Sequence, residues 1–417
     1  MAEYRPVTEA HRERYHAIMQ QAFDLESGPE PSYAAEEPDD DPDVWPPALS
    51  DPRGLFVDGA EDADATEIVS TCKLYYLDAT VRGEWTAIGG LGGVATPPEH
   101  RRNGYSRATI EGALDEYREN GVDFVALWPS TVRFYRALGW GVANRKTRVR
   151  VPPQQLAEIA GAPPAENGRF RQLDADEWER LRRVEVERAE RFGLSLRRSE
   201  GWWRKRTLAA WPDGPAPYVY GYEVGDELRG YALLDARAGD DGRELRVQDL
   251  AGIDHEIERA LLGFLANYDS QVDAVVLDGP LAGDFSELVP DPGELDVTES
   301  VGTMIRLTDV ERGLESLSWP AALKQRFVLD VTDPLLDLND DQFVVSIADG
   351  EATVESAGGD LAGDASLGIG TLSRLAIGSI GVGDAERLRD LTVHDDGIRA
   401  ELEAAFRPEP VYLREFF

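Results

Sequence analysis

Hydrophobic positions in the first third of the chain switch between a period of two and a period near 3.6, the signature of strands alternating with amphipathic helices. Tyr4 to Val7 reads as a short strand, and Tyr15, Ile18, Met19, Ala22 and Phe23 then share one side of a helix with Thr8 as its N-cap. Strands are predicted at Ile68 to Tyr76, Trp85 to Ile88 and Leu91 to Ala95. A helix follows from Gly104 to Glu119, with Ile110, Ala113, Leu114 and Tyr117 facing a core. Phe124 to Leu127, Thr131 to Ala137 and Val142 to Val151 read as strand, short helix and strand. This order predicts an α/β (α+β) fold whose first domain, residues 1–152, is a mixed sheet flanked by helices.

The stretch Pro152 to Asn167 breaks the pattern, and the opening of the chain then recurs. Tyr4-Arg5-Pro6-Val7-Thr8 is echoed by Phe170-Arg171-Gln172-Leu173-Asp174, each followed by an Arg/Glu-rich helix, which predicts a duplicated domain over residues 168–308. A third domain, residues 317–417, differs in kind. Phe343 to Ala348 and Glu351 to Glu355 flank Asp349-Gly350, a hairpin signal. A last helix carries Ile398, Leu402, Ala405 and Phe406 on one face, Pro408 and Pro410 end it, and an extended tail runs from Val411 to Phe417.

Charge changes the picture of partners. With 79 acidic and 43 Lys and Arg residues the net charge is −36, and only Lys73, Lys146, Lys205 and Lys324 are lysines. Acid spread along the whole chain fits a surface adapted to a salt-rich cytoplasm, where screening shortens like-charge repulsion. No basic stripe is present for phosphate neutralisation, so no nucleic-acid partner is expected, and a cationic amine is the electrostatically favoured substrate. The six acids between Glu36 and Asp43 read as a solvated loop. The single cysteine, Cys72, has β-branched neighbours and reads as a buried strand thiol; the five histidines lack metal-ligand spacing, so no metal is expected. No apolar run reaches the roughly 18 residues of a membrane span, and the N-terminus lacks a signal-peptide core, which predicts a cytoplasmic protein with no membrane partner.

The stretch from Gly93 to Ser106 reads as strand, turn and helix start. Unpaired backbone N–H groups at a helix N-terminus, with Gly104 allowing close approach and Arg101 and Arg102 adding charge, can hold a pyrophosphate. The pattern R-x-x-G-x-[G/A/S] is short, and Arg136 to Gly141 also fits it, but that second match ends a helix and leads into a strand. Context selects Arg101.

The whole stretch resembles the acetyl-CoA site of GCN5-related N-acetyltransferases, and more closely that of the Eis (enhanced intracellular survival) family, in which two such domains precede one resembling sterol carrier proteins. The resemblance rests on V-A-x-x-P-x-x-R-R-x-G from Val94, A-L-x-x-S-x-x-x-x-Y-x-x-x-G from Ala126 to Gly139, the degenerate second domain, the hairpin of the third, and the terminal phenylalanine. It implies acetyl-CoA as co-substrate, with Val94, Ala95 and Thr96 beside its pantetheine arm. Arg101, Arg102, Asn103, Gly104, Tyr105 and Ser106 would lie around the pyrophosphate, and Ser130 would line the cofactor site. Tyr135 matches the tyrosine that protonates the departing thiolate. Leu250 to Asp254 stand where the second domain would need the motif, so that domain is expected to wall the substrate cleft without binding acetyl-CoA.

Two departures bear on the acceptor. Asn103 replaces a basic residue, and Phe416 stands where some members have a glutamate lining the amine pocket; Glu415, or Asp24 and Glu26 after the first helix, could supply the lost charge. The acceptor is left open among aminoglycosides, polyamines and protein lysines, and family members form hexamers, which implies a homo-oligomer. An amine must be neutral to attack a thioester, and the apolar tail from Tyr412 points to docking, either as a plug in a hydrophobic groove or, as the resemblance implies, to place the α-carboxylate of Phe417 inside the protein as general base. Its pKa of about 3.3 to 3.7 would rise on desolvation. Two other readings stand beside this one: a carrier of lipids or other apolar ligands through the third domain, and an inactive acetyl-CoA-binding scaffold.

Overall fold

The computed structural model describes residues 2–24, 49–58, 66–159, 167–189, 191–210, 215–239, 242–280, 284–359, 361–395 and 397–417. Along the chain come β1 (Glu3–Pro6), α1 (Arg12–Phe23), β2 (Asp51–Asp58), β3 (Thr66–Val81), β4 (Glu84–Ala95), α2 (Tyr105–Glu119), β5 (Phe124–Leu127), α3 (Val132–Arg136), β6 (Gly141–Val142) and β7 (Arg145–Val151). Next are α4 (Pro153–Leu156), β8 (Gly168–Leu173), α5 (Trp178–Ala189), α6 (Glu200–Trp202), β9 (Tyr218–Val224), β10 (Glu227–Gly239), β11 (Gly242–Gly252), α7 (His255–Phe264), β12 (Ala274–Gly279), α8 (Asp284–Leu288) and β13 (Asp296–Val301). The chain closes with β14 (Met304–Leu307), α9 (Val310–Glu315), β15 (Gln325–Thr332), β16 (Gln342–Ala348), β17 (Glu351–Ser356), β18 (Ala365–Gly368), α10 (Ile369–Ala376), α11 (Val382–Arg387), β19 (Leu391–Val393) and α12 (Arg399–Ala405).

Three mixed sheets result. The first has the order β1-β2-β3-β4-β5-β14-β6 and the second β13-β7-β12-β11-β10-β9-β8, so the two match position for position when one is read in reverse. The match includes an exchange: β14 follows the second repeat in sequence but lies between β5 and β6, while β7 follows the first repeat but lies between β12 and β13. The chain accordingly divides into two compact units, Met1–Asn144 with Gly302–Phe417, and Arg145–Val301. Limits at residues 152 and 308 each set a strand apart from the sheet it joins.

The single strand expected from Val142 to Val151 is two strands in different sheets. It breaks at Ala143 and Asn144, where the returning chain crosses: the Ala143 amide donates to the Thr303 carbonyl at 2.9 Å and the Gly302 amide to the Asn144 carbonyl at 3.0 Å. Conversely, the strands expected at Trp85 to Ile88 and Leu91 to Ala95 are one, continuous through Gly89 and Gly90. Thr8 caps a 3₁₀ turn at Glu9–His11, and its hydroxyl bonds His11 Nδ1 at 2.9 Å, so α1 begins only at Arg12. Tyr15 and Ile18 are buried as expected, but Phe23, in the last turn of α1, is 60% exposed. Cys72 is fully buried, which pushes its thiol pKa up to about 12.

In the second unit, α7 packs Ile257, Leu261 and Leu262 into a core with Val149, Val275 and Leu277 on one sheet face, and α5 packs Leu181 and Val184 with Trp203 and Tyr231 on the other. The five-stranded third sheet, β17-β16-β15-β18-β19, belongs to the first unit. Asp349 and Gly350 take φ of 56° and 93°, the left-handed pair that a two-residue hairpin needs. Glu315 and Glu311 of α9 accept from the Val354 and Ser356 amides at 2.9 and 2.8 Å, which covers the outer edge of β17.

Arg306 of β14 fixes the third sheet to the first. Its guanidinium, without solvent exposure, donates to both oxygens of Asp333 at 2.6 and 2.5 Å and to the Leu138 carbonyl, just beyond α3, at 2.5 Å.

Candidate active site

The site is built where β4 and β5 part. Their parallel pairing runs Ile88↔Phe124, Gly89↔Val125 and Gly90↔Ala126 and stops, although β4 continues to Ala95. On the other side β4 pairs with β3 through a bulge at Gly93 and Val94, between the pairs Thr71↔Ala95 and Lys73↔Gly92, with Gly93 at φ 58°. The bulge turns the end of β4 away from β5, leaving a splay whose backbone groups are open to an extended ligand.

The turn after β4 meets α2. Arg102 and Gly104 both adopt left-handed conformations, φ 64° and 82°, and Gly104 is the N-cap of α2 with no side chain to satisfy the helix's first N–H groups. Arg101, Arg102, Asn103 and Gly104 are exposed. Arg101 Nε donates to the Thr96 carbonyl at 3.0 Å and Asn103 Nδ2 to the His100 carbonyl at 3.1 Å, so both side chains brace the turn. The Thr96 hydroxyl donates to Ser70 at 2.9 Å and pairs with Ser106 at 2.8 Å, tying the end of β4 to the first turn of α2 beside Tyr105. An uncapped helix start flanked by arginines fits a pyrophosphate. The second unit differs at this point: the Asp254 carboxylate caps α7 by accepting from the Ile257 amide at 2.9 Å, filling with its own charge the place an anion would take.

Tyr135 on α3 is 5% exposed and lies in the apolar cluster on the α2 face, which includes Leu91, Leu114 and Trp140. Burial pushes its phenol pKa up to about 12, against a hydrogen bond from Ser130 that lowers it, so the group is protonated at neutral pH. The tail arrives on the opposite face. Side chains alternate along a strand, so Gly90 and Gly92 face away from Leu91. A Cβ on Gly90 would lie 2.9 Å from the Phe417 ring, and one on Gly92 would lie 3.1 Å from the Phe417 main-chain carboxyl. The ring also sits 5.4 Å from that of Tyr75, and Phe417 is only 7% exposed.

Glu415 is buried, whereas Phe416 is 54% exposed with its ring 5.8 Å from Trp128. Asp24 is exposed at the C-cap of α1; Glu26 and the acidic stretch Glu36 to Asp43 lie outside the described residues. Trp128, absent from the expected set, donates from its indole nitrogen to the Glu415 carbonyl at 2.7 Å. The signal for this docking was the run Gly89-Gly90-Leu91-Gly92-Gly93 inside a strand, where glycines mark a close approach of something else.

Residues 3–143 match an acetyltransferase (GNAT) domain, residues 194–307 match a second model of an acetyltransferase (GNAT) domain, and residues 310–414 match a sterol carrier protein domain. The chain carries two GNAT acetyltransferase domains followed by a sterol-carrier-like domain. No match was found among curated protein sequences. Among solved structures, the acetyltransferase is similar over its full length to a GCN5-related N-acetyltransferase from Anabaena variabilis (20% identity, TM-score 0.81, 100% of each chain) and to a probable N-acyltransferase from Enterococcus faecalis (18%, 0.82, 100% of each chain). It is likewise similar to Eis1 from Mycobacterium abscessus (23%, 0.77, 100% of each chain). At these identities the likeness establishes the fold. In the sterol-carrier-like domain, Phe406 packs with Trp319 at 5.6 Å and Phe327 at 5.9 Å, so the acetyltransferase fills this part of that domain's interior with its own rings.

Proposed function

We propose that this acetyltransferase moves the acetyl group of acetyl-CoA directly to a primary amine of a cationic acceptor, such as an aminoglycoside, a polyamine or a protein lysine. The observation that carries the reading is the docked C-terminus: the Phe417 carboxyl lies against Gly92 at the mouth of the splay, while Tyr135 belongs to the opposite face. Acetyl-CoA would lie in the splay along Val94, Ala95 and Thr96, its pyrophosphate on the N–H groups from Tyr105 onward with Arg101 and Arg102 near, and its thioester beside Ser130 and Tyr135.

The chemistry divides between the two faces. The Phe417 carboxylate takes a proton from the acceptor amine as its nitrogen bonds to the acetyl carbon. The Tyr135 hydroxyl gives its proton to the sulfur as the carbon–sulfur bond breaks. Exposed Phe416 and half-buried Trp128 offer aromatic faces to a cation at the entrance, and the acidic surplus of the chain draws cations toward it. Homo-oligomerisation, a cytoplasmic setting and a saline one belong to the same proposal.

The test is C-terminal extension. Adding three residues after Phe417, or deleting Phe417, is expected to abolish thiol release from acetyl-CoA with a panel of amines while acetyl-CoA affinity stays within about twofold. A C-terminally extended enzyme with full turnover would remove the carboxylate from the reaction.

A further inference from the structure

The tail does not hold itself in place. After α12 it turns at Arg407 to Glu409 and reaches the splay ten residues after Arg407, with Pro408 and Pro410 stiffening its first part. Anchors occur at short intervals: the Glu409 amide donates to the Gly378 carbonyl at 2.8 Å, the Leu413 amide to Asn144 Oδ1 at 3.4 Å, and the Glu415 carbonyl accepts from Trp128. These anchors stand no more than four residues apart, and Val411 between them forms a β-bridge, so a displacement at the root has little slack in which to dissipate.

Beside the Glu409 backbone bond, one side chain grips the root. Arg82 sits at the tip of the β3–β4 hairpin in a left-handed conformation, φ 49°, followed by Gly83 at φ 81°. Its side chain is 6% exposed. Nε donates to the Ala376 carbonyl at 2.8 Å and Nη2 to the Leu375 carbonyl at 2.6 Å; these lie at the end of α10, where the Leu375 carbonyl also accepts from the Gly378 amide at 3.1 Å. Nη1 donates to the Arg407 carbonyl at 3.0 Å and pairs with Glu409 at 3.4 Å. The same hairpin therefore holds the root of the tail at its tip and, at Gly92 near the far end of β4, receives the terminal carboxyl.

We propose that Arg82 is a positioning residue for the reaction, setting where the Phe417 carboxylate stands by fixing the origin of the tail on the strand pair that carries the splay. The inference rests on the carboxylate reading above for its effect on turnover, but not for its effect on docking. The planar fork matters, since a lysine ammonium has a single nitrogen and cannot span three carbonyls. Arg82 touches neither the splay nor the turn at Gly104, so acetyl-CoA binding is expected to be indifferent to it.

Arg82→Ala and Arg82→Lys test this. A misplacement of about 1 Å costs up to about 10²-fold in rate. Expected for Arg82→Ala are a fall in kcat of about 10- to 100-fold, an acetyl-CoA Kd within about twofold of wild type, and release of Phe417 by a carboxypeptidase at least about tenfold faster. Arg82→Lys should retain most of the defect. Should Arg82→Ala not fold, inserting two glycines after Pro410 changes none of the anchoring side chains but adds slack, and it should lower kcat alone. Unchanged Phe417 release in folded Arg82→Ala, or wild-type kcat in the insertion variant, overturns the proposal. Full activity after deletion of Phe417 would sink the carboxylate reading instead, and the release rate would still judge the anchor.

Discussion

Tyr135 and His16 show how burial sets the state of a group. Tyr135 keeps its proton at neutral pH because burial pushes its phenol up to about 12, which the proposed role as proton donor requires. Tyr135→Phe is expected to lower turnover about 10² to 10⁴-fold, the scale of lost general acid catalysis, with acetyl-CoA affinity unchanged by equilibrium binding. His16 on α1 is buried, and burial first, then the charges of Lys73 and Arg12, pull its pKa down to about 4. The unfolded imidazole takes up a proton below about pH 6.5 and the folded one only near pH 4, so stability falls as pH drops through that window. Denaturant titrations at pH 7 and pH 4.5 should show His16→Gln losing less stability between the two than wild type, by up to about 2 kcal/mol. Equal losses would mean that His16 is protonated in the fold.

At the scale of elements, the exchanged strands decide what must stay together. β14 joins the first sheet from beyond the second repeat, and Arg306 in it locks to Asp333 with no solvent exposure. Asp333 also accepts from the Leu335 and Leu336 amides at 2.9 and 3.2 Å and from Asn339 at 3.1 Å. Removing it leaves a buried guanidinium uncompensated, so Asp333→Ala is expected to cost about 3 to 5 kcal/mol by denaturant unfolding. Arg306→Met with Asp333→Leu should cost less than the sum of the single changes, because it removes both charges. Periodicity had marked β14's neighbourhood as the end of the second domain, since a four-residue apolar strand looks the same whichever sheet it enters.

Across the whole molecule, charge is the dominant feature. A net charge of −36 leaves many carboxylates without a cation of their own, and the Debye length grows from about 3 Å at 1 M salt to about 10 Å at 0.1 M. The protein is expected to lose melting temperature steeply as sodium or potassium chloride falls from 2 M to 0.1 M; a salt-independent Tm, read by calorimetry, would count against the saline setting. Attraction of the proposed cationic acceptor follows the same screening, so KM for the amine is expected to rise with salt while that for acetyl-CoA moves less.

By itself the sequence determined most of the alternation of strands and helices in the first repeat, the duplication and the left-handed turn before α2, because these depend on local periodicity, on glycine at a left-handed position and on short-range spacing. It also marked Tyr135 and Phe417, through their place in motifs shared with a family. Only the tertiary structure decided which sheet receives β7 and β14, since a strand's own pattern specifies its faces and not its neighbours. The same holds for Trp128, Asn144 and Arg82, whose partners lie hundreds of residues away and are mostly backbone carbonyls. A carbonyl carries no sequence signature, so the anchoring of the tail becomes visible only once the chain has folded back onto the hairpin between β3 and β4.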